Sequence, residues 1–189
     1  MGGFGLYLIA CLAVHPAFCQ LLSGPVRLDS IQQKRACIIS TAESQTYVRE
    51  ATNNNDHKQI NVYFRAIGWK SPEKLPGRAK PYCGAFVGWV LIQCDLVSGA
   101  VRKINMASVA SWNTLKPFFL KAGQMPLPGD IVTYRTWSHV EFNKYWPLDP
   151  RIRIFRAVGG NTGSPNQGVH TDLVRPKNIV RNQIRLFKE

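Results

Sequence analysis

The chain has 189 residues, 45% of them hydrophobic, and a formal net charge of +13 at pH 7. This length supports one domain with a real core and leaves too little for two, and the composition excludes a disordered chain. A net charge this positive favours polyanionic partners, such as nucleic acid, acidic membranes or anionic cell-wall polymers. The basic residues are scattered without a run of five or six, so a surface charged only for solubility is the alternative.

The first 19 residues contain no Asp, Glu, Lys or Arg. The apolar run Phe4–Val14, followed by Ala17-Phe18-Cys19, is typical of a signal peptide cleaved before Gln20. The run is too short to span a bilayer. We therefore expect an exported protein, periplasmic or extracellular, with no transmembrane span after processing. An apolar N-terminal anchor and lipoprotein processing at Cys11 are the alternatives.

Three of the five cysteines, Cys37, Cys83 and Cys94, lie beyond the predicted signal peptide, so at least one of these three lacks an intramolecular partner. On one helix, Cys83 and Cys94 would lie about 16 Å apart, against a limit of about 7 Å between bridged Cα atoms. We expect Cys83 to stay a free thiol, whereas a Cys37–Cys94 bridge is compatible with the sequence but not predicted. The chain has no CxxC, HExxH or paired Cys/His cluster, so we expect no metal and no cofactor.

The first half of the chain has helical periodicity. The segment Ile31–Val48 places apolar residues near one face. Asp56 is expected to cap a second helix, whose apolar stripe over 60–67 has i, i+3, i+4, i+7 spacing and stops at Gly68. The segment Cys83–Cys94 is apolar nearly all round, which predicts a buried helix.

The second half has the patterns of β-strands separated by turns and loops. Helices followed by antiparallel strands indicate an α+β fold, with the N-terminal helices packed on a C-terminal antiparallel sheet. We divide the chain into a signal peptide at 1–19, a lead-in helical region at 20–44 and the main domain at 45–189. The predicted strands are Asp130–Tyr134, Ser138–Phe142, Ile152–Val158, Val169–Val174 and Gln183–Phe187.

Cys83 lies at the predicted start of the buried helix, where unpaired N–H groups and the helix dipole favour a thiolate. His139, at the start of a strand, is the candidate base that would take and return the proton of Cys83. Asn161 could hold the imidazole in the correct tautomer. Taken singly, an inert buried cysteine, a structural histidine and a turn asparagine are the alternatives. For His57 and His170 we expect solvated surface roles.

Four motifs occur in the order of a known family: PYCGAFVGW at 81–89, PGDIV at 128–132, SHV at 138–140 and GGNT at 159–162. Together they resemble the CHAP amidases and peptidases, which are relatives of the NlpC-type cell-wall peptidases. Arg49–Asp56 is similar to a lead-in found in one bacterial subgroup. The resemblance covers roughly residues 45 to 188 and implies a papain-like fold.

By this resemblance, Cys83 attacks an amide carbonyl of peptidoglycan, His139 moves the proton, and Asn161 orients the ring. The family often has a Glu where this chain has Gly159, and a small residue where it has Glu141. Glu141 is two residues from His139, about 7 Å along a strand, which is a long reach for a hydrogen bond. We therefore expect Asn161 to orient the ring and Glu141 to tune it at most. The alternative is that the acid has moved to Glu141. Because Asn is neutral, the imidazole should titrate lower than in Glu-bearing relatives.

The leading hypothesis is a monomeric cysteine hydrolase that cleaves an amide or peptide bond of peptidoglycan, held near anionic wall polymers by its charge. The main alternative is a weakened or inactive wall-binding protein on the same scaffold, because the expected Glu is missing at Gly159. A basic nucleic-acid-binding domain is disfavoured by the predicted signal peptide and by the lack of a basic-aromatic platform.

Overall fold

The structure is a computed structural model that describes residues 30–163 and 166–187. The predicted signal peptide and residues 20–29 lie outside these ranges. Among the described residues, no helix has both the length and the apolar character needed to cross a membrane. The helices are α1 (Ser30–Glu43), α2 (Lys58–Ala66), α3 (Cys83–Gln93), α4 (Gly99–Arg102) and α5 (Val109–Trp112). Short 3₁₀ helices lie at Pro72–Lys74, Gly77–Ala79, Lys116–Phe118 and Lys177–Ile179.

The second half forms one five-stranded sheet in the order β4-β3-β2-β1-β5, with every neighbouring pair antiparallel. Helices in the first half and an antiparallel sheet in the second confirm the predicted α+β class. The strands are β1 (Ile131–Tyr134), β2 (Val140–Tyr145), β3 (Ile154–Thr162), β4 (Gly168–Pro176) and β5 (Val180–Ile184).

The ranges of all five strands differ from the prediction, and the differences are largest at β5 and β3. The last strand is β5 at Val180–Ile184 rather than Gln183–Phe187, because its pairing with β1 runs from Ile184 opposite Ile131 back to Val180 opposite Tyr134. Strand β3 continues through Gly159 and Gly160, which were predicted as loop. At Gly160 an added Cβ would lie 2.9 Å from ring atoms of Tyr82 and Phe86, so this glycine lets α3 pack closely against the strand.

The helices cover one face of the sheet. Helix α3 packs against β2 and β3, and α1 and α2 pack against α3. Side chains alternate along each strand, so Ile131 and Phe142 join the main core beneath the helices. Val132 and Tyr134 point to the opposite face, where they form a smaller cluster with Phe155.

The helix ends depart from the sequence prediction. Helix α1 ends at Glu43, five residues before the predicted Val48. The N-cap of α2 is His57, whose Nδ1 accepts from the Gln59 N–H, so the expected capping by Asp56 is wrong. The Asp56 carboxylate instead accepts from the backbone N–H groups of Ala51 and Thr52 at 2.9 Å each, which fixes the preceding turn. The predicted apolar stripe of α2 is confirmed, with Ile60, Tyr63 and Phe64 buried.

A disulfide and a buried ion pair are among the long-range links between α1 and the rest of the domain. A disulfide joins Cys37 on α1 to Cys94 directly after α3, with 5.9 Å between the Cα atoms. Cys83 is the only free cysteine among the described residues, as predicted. Asp130, before β1, is fully buried and binds Arg35 of α1 at 3.1 Å and Arg185 at 2.9 Å.

Candidate active site

Cys83 is the first residue of α3 and is 3% exposed. Tyr82 is the N-cap, and its side chain makes no capping hydrogen bond. The first turn of the helix carries no acidic residue. The partial positive charge of the helix N-terminus therefore acts on Cys83 without a counter-charge in that turn.

His139 lies directly before β2, at the end of the connection from β1, and is 5% exposed. Its ring neighbours the thiol of Cys83, and the two groups interact. Its Nε2 lies 2.8 Å from Oε1 of Glu141. The structure thus brings together the two residues on which the sequence analysis placed the chemistry. Since Glu141 occupies Nε2, Nδ1 is the ring nitrogen left for Cys83.

Glu141 is fully buried, and donors from two other strands hold its carboxylate. Tyr134 of β1 donates its hydroxyl proton to Oε2 at 2.6 Å. Arg175 of β4 donates from Nε to Oε2 at 3.0 Å and from its terminal nitrogen to Oε1. The same guanidinium donates to Thr162 of β3 at 2.8 Å. A buried carboxylate of this kind is stable because charge-assisted hydrogen bonds replace its lost hydration.

The buried pair has strongly shifted pKa values. Burial alone would lower the pKa of His139, but the negative charge of Glu141 and the hydrogen bonds to Cys83 and Glu141 outweigh it and raise the pKa to about 9. Burial would raise the pKa of Glu141, but His139 and Arg175 hold it well below its ordinary value. The imidazolium form of His139 is therefore favoured across neutral pH. The expectation of a low-titrating imidazole is wrong, because a carboxylate stands where a neutral amide was predicted.

Asn161 does not take the predicted position beside the ring. It adopts a left-handed backbone conformation with φ of 59°. The pairing of β3 with β4 shifts register between Gly159 and Thr162, which breaks the strand alternation at this residue. The side-chain oxygen of Asn161 is buried without a hydrogen-bond partner among the described residues. The geometric expectation that Asn161, rather than Glu141, bonds His139 is therefore wrong.

His139 and Glu141 are not two positions of one regular strand, so the distance of about 7 Å expected between them does not apply. His139 lies outside β2, whereas Glu141 lies within it, opposite Val132 of β1. A glutamate side chain is long enough to extend along the strand toward the ring of His139. Gly159 on the neighbouring strand leaves room for it, since an added Cβ there would lie 2.5 Å from Cγ of Glu141.

A surface cavity of about 350 Å³ opens next to the site. Ser138 and Trp137, which directly precede His139, line one side, and Arg135 and Arg181 contribute positive charge. Trp137 is 41% exposed and stacks on Tyr134 with 4.8 Å between ring centroids. The cavity thus combines an aromatic surface with two cationic groups, and it reaches the site through Tyr134, the partner of Glu141.

The other two histidines of the described chain lie apart from this chemistry. His57 caps α2, and Nε2 of His170 lies 3.1 Å from the backbone carbonyl oxygen of Asn166. The described residues contain no group of three or more His, Cys, Asp or Glu side chains placed to hold a metal ion. The chain matches no protein-family model, no curated protein and no solved structure.

Sequence reasoning missed the roles of Tyr134 and Arg175. A buried hydroxyl and a basic residue on separate strands carry no motif, so only the strand order places them around Glu141. One signal was available, since an acidic residue between two apolar residues of a strand, next to a candidate catalytic histidine, needs a buried partner. Glu141 in Val140–Phe142 fits that description.

Proposed function

We propose that the chain is a cysteine hydrolase that cleaves an amide or peptide bond of peptidoglycan, as its resemblance to the CHAP amidases and peptidases implies. One observation carries the proposal: a free cysteine at a helix N-terminus neighbours an imidazole whose other nitrogen bonds a buried carboxylate. Nucleophile, base and orienting acid are the three parts that acyl transfer by a thiol requires. The α+β architecture is compatible with the papain-like fold that the resemblance implies.

In the proposed mechanism, the proton of the Cys83 thiol rests on His139 as an imidazolium, and the thiolate sulfur attacks the carbonyl carbon. The N–H groups of the first turn of α3 stabilise the negative charge on the carbonyl oxygen. The C–N bond then breaks, and the imidazolium gives its proton to the leaving nitrogen. Water, deprotonated by His139, attacks the thioester, which releases a carboxylic acid and restores the thiol.

Substrate binding is assigned to the cavity beside Trp137. Arg135 and Arg181 would attract carboxylates of a wall peptide, and the indole would cover an apolar or sugar surface. The net charge of +13 would hold the protein near anionic wall polymers. The disulfide is compatible with the predicted export, because such bonds persist in oxidising compartments.

Digestion of purified peptidoglycan tests this function. The chain is incubated with insoluble wall, and the soluble products are analysed by mass spectrometry. We expect fragments that have gained one water, and their mass names the bond. Co-sedimentation with the wall without any released fragment would refute hydrolysis and favour the wall-binding alternative. The wall-binding alternative was based on the missing Glu at Gly159. That reason is weaker now, because Glu141 supplies a carboxylate at the His139 ring.

A further inference from the structure

We infer that Glu141 is the positioning acid of the Cys83–His139 pair, and that Gly159 is a glycine because Glu141 occupies the space of its side chain. The inference rests on the proposed hydrolase function and deepens it. It assigns to this site a carboxylate that sits two residues from the histidine on the same chain segment. It also assigns a role to a glycine on the neighbouring strand.

Glu141 fixes the tautomer of the neutral His139 ring. A carboxylate 2.8 Å from Nε2 of His139 keeps a proton on that nitrogen. The lone pair of the neutral ring then lies on Nδ1, the nitrogen left for the thiol of Cys83. Without the carboxylate both tautomers are accessible, and one of them cannot accept a proton from sulfur.

The Glu141 carboxylate is itself held rigidly. The Glu141 carboxylate is fixed by Tyr134 from β1 and Arg175 from β4, and Arg175 is itself held by Thr162 of β3. Four adjacent strands therefore contribute to one hydrogen-bond network. Supporting contacts of this kind hold a side chain in one orientation, which is what a positioning residue requires.

A side chain at position 159 and the side chain of Glu141 exclude each other. A Cβ at residue 159 would lie 2.5 Å from Cγ and 3.0 Å from Oε1 of Glu141. Any side chain at 159 would therefore displace the Glu141 side chain. By the same geometry, a carboxylate that starts from 159 enters the space now filled by the Glu141 carboxylate, within reach of His139. The acid can be supplied from either strand but not from both.

An exchange experiment tests this inference on the intact protein. The variants are Glu141→Gly, Gly159→Glu and the double exchange, with Glu141→Gln as an isosteric variant that keeps the packing. One readout is the rate of iodoacetamide alkylation of the Cys83 peptide as a function of pH. The other is the ¹⁵N shift pair of the His139 ring, which reports its protonation state near neutral pH and the tautomer of the neutral ring above pH 9. Neither readout needs a wall substrate, so a failure of the proposed hydrolysis does not affect them.

We expect Glu141→Gly and Glu141→Gln to slow alkylation at neutral pH by about tenfold or more, since a fall of one unit in the pKa of His139 lowers the ratio of imidazolium to imidazole tenfold. Both should also lose the single tautomer. Gly159→Glu alone should be poorly folded because two carboxylates compete for one space, and the double exchange should recover most of the alkylation rate. An unchanged pH profile and tautomer in Glu141→Gln would overturn the inference. A double exchange no better than Glu141→Gly would also overturn it.

Discussion

His139 and Glu141 set the electrostatics of the site at the scale of single residues. The pKa of His139 is raised from 6.5 to about 9, so the stability gained from charging it is fully present below pH 6.5 and is lost as the pH rises through about 9. The pKa of Glu141 is lowered from 4.5, so its contribution is present above pH 4.5 and is lost as the pH falls through the lowered value. The pair is therefore most stabilising between these limits.

The first prediction is a pH-dependent stability difference. The free energy of unfolding of the wild-type chain, minus that of Glu141→Gln, should be largest between pH 4.5 and 6.5 and should shrink as the pH approaches 9. Denaturant unfolding at a series of pH values measures it. A difference that stays constant from pH 6 to 9.5 would mean that Glu141 does not hold the proton on His139.

The second prediction concerns Asn161, whose side-chain oxygen is buried without a hydrogen-bond partner among the described residues. Asn161→Ala should reduce turnover on peptidoglycan much less than Glu141→Gln, because only the latter removes the partner of Nε2. For Glu141→Gln we expect a loss on the order of 10⁴-fold, the scale seen when the acid that orients a catalytic histidine becomes an amide. The opposite ranking, measured with the same wall preparation, would return the orienting role to Asn161.

These residues also show what sequence alone could predict. Cys83 and His139 were predictable because helix starts and strand starts follow from local patterns. Their partner was not predictable, because it depends on whether a long side chain at 141 reaches back along its strand and on an empty position at 159 of the next strand. The left-handed backbone of Asn161 was equally hidden, since asparagine beside glycine fits either a turn or a strand.

At the scale of elements, the Cys37–Cys94 disulfide ties α1 to the end of α3. It closes a loop with a sequence separation of 57, and loops of such length stabilise by about 2–5 kcal/mol. We expect the double variant Cys37→Ala/Cys94→Ala to lose about this much free energy of unfolding while Cys83 stays reactive. The matched control is reductant, which should destabilise the wild-type chain and leave the variant unchanged. Equal stability of the two proteins without reductant would contradict the prediction.

Asp130, just before β1, joins this part of the chain to α1 and to the segment after β5. Its side chain is fully buried, and Asp130→Ala would leave Arg35 and Arg185 without this carboxylate. We expect a loss of about 3–5 kcal/mol in the free energy of unfolding, as for other broken buried ion pairs. The exposed pair Asp149–Arg151 is the control, and Asp149→Ala should cost far less because water screens an exposed pair. Similar losses in both variants would refute the role given to Asp130.

At the scale of the whole molecule, helices and sheet meet where the candidate site lies. The α+β order was predictable because the hydrophobic period changes from helical to alternating midway along the chain. The strand order was not predictable, since β5 pairs with β1 although β2, β3 and β4 lie between them in the sequence. This order places β1 to β4 side by side, which is what surrounds Glu141 with Tyr134 and Arg175.

The central claim is that Cys83 is the nucleophile of a wall hydrolase, and one measurement tests it most directly. Wild-type protein and Cys83→Ala are incubated with the same purified peptidoglycan, and the released fragments are quantified by mass spectrometry. Circular dichroism and denaturant midpoints verify that the variant is folded. We predict fragments that have gained one water from the wild-type chain and none above background from Cys83→Ala. Wild-type turnover by Cys83→Ala would contradict the account.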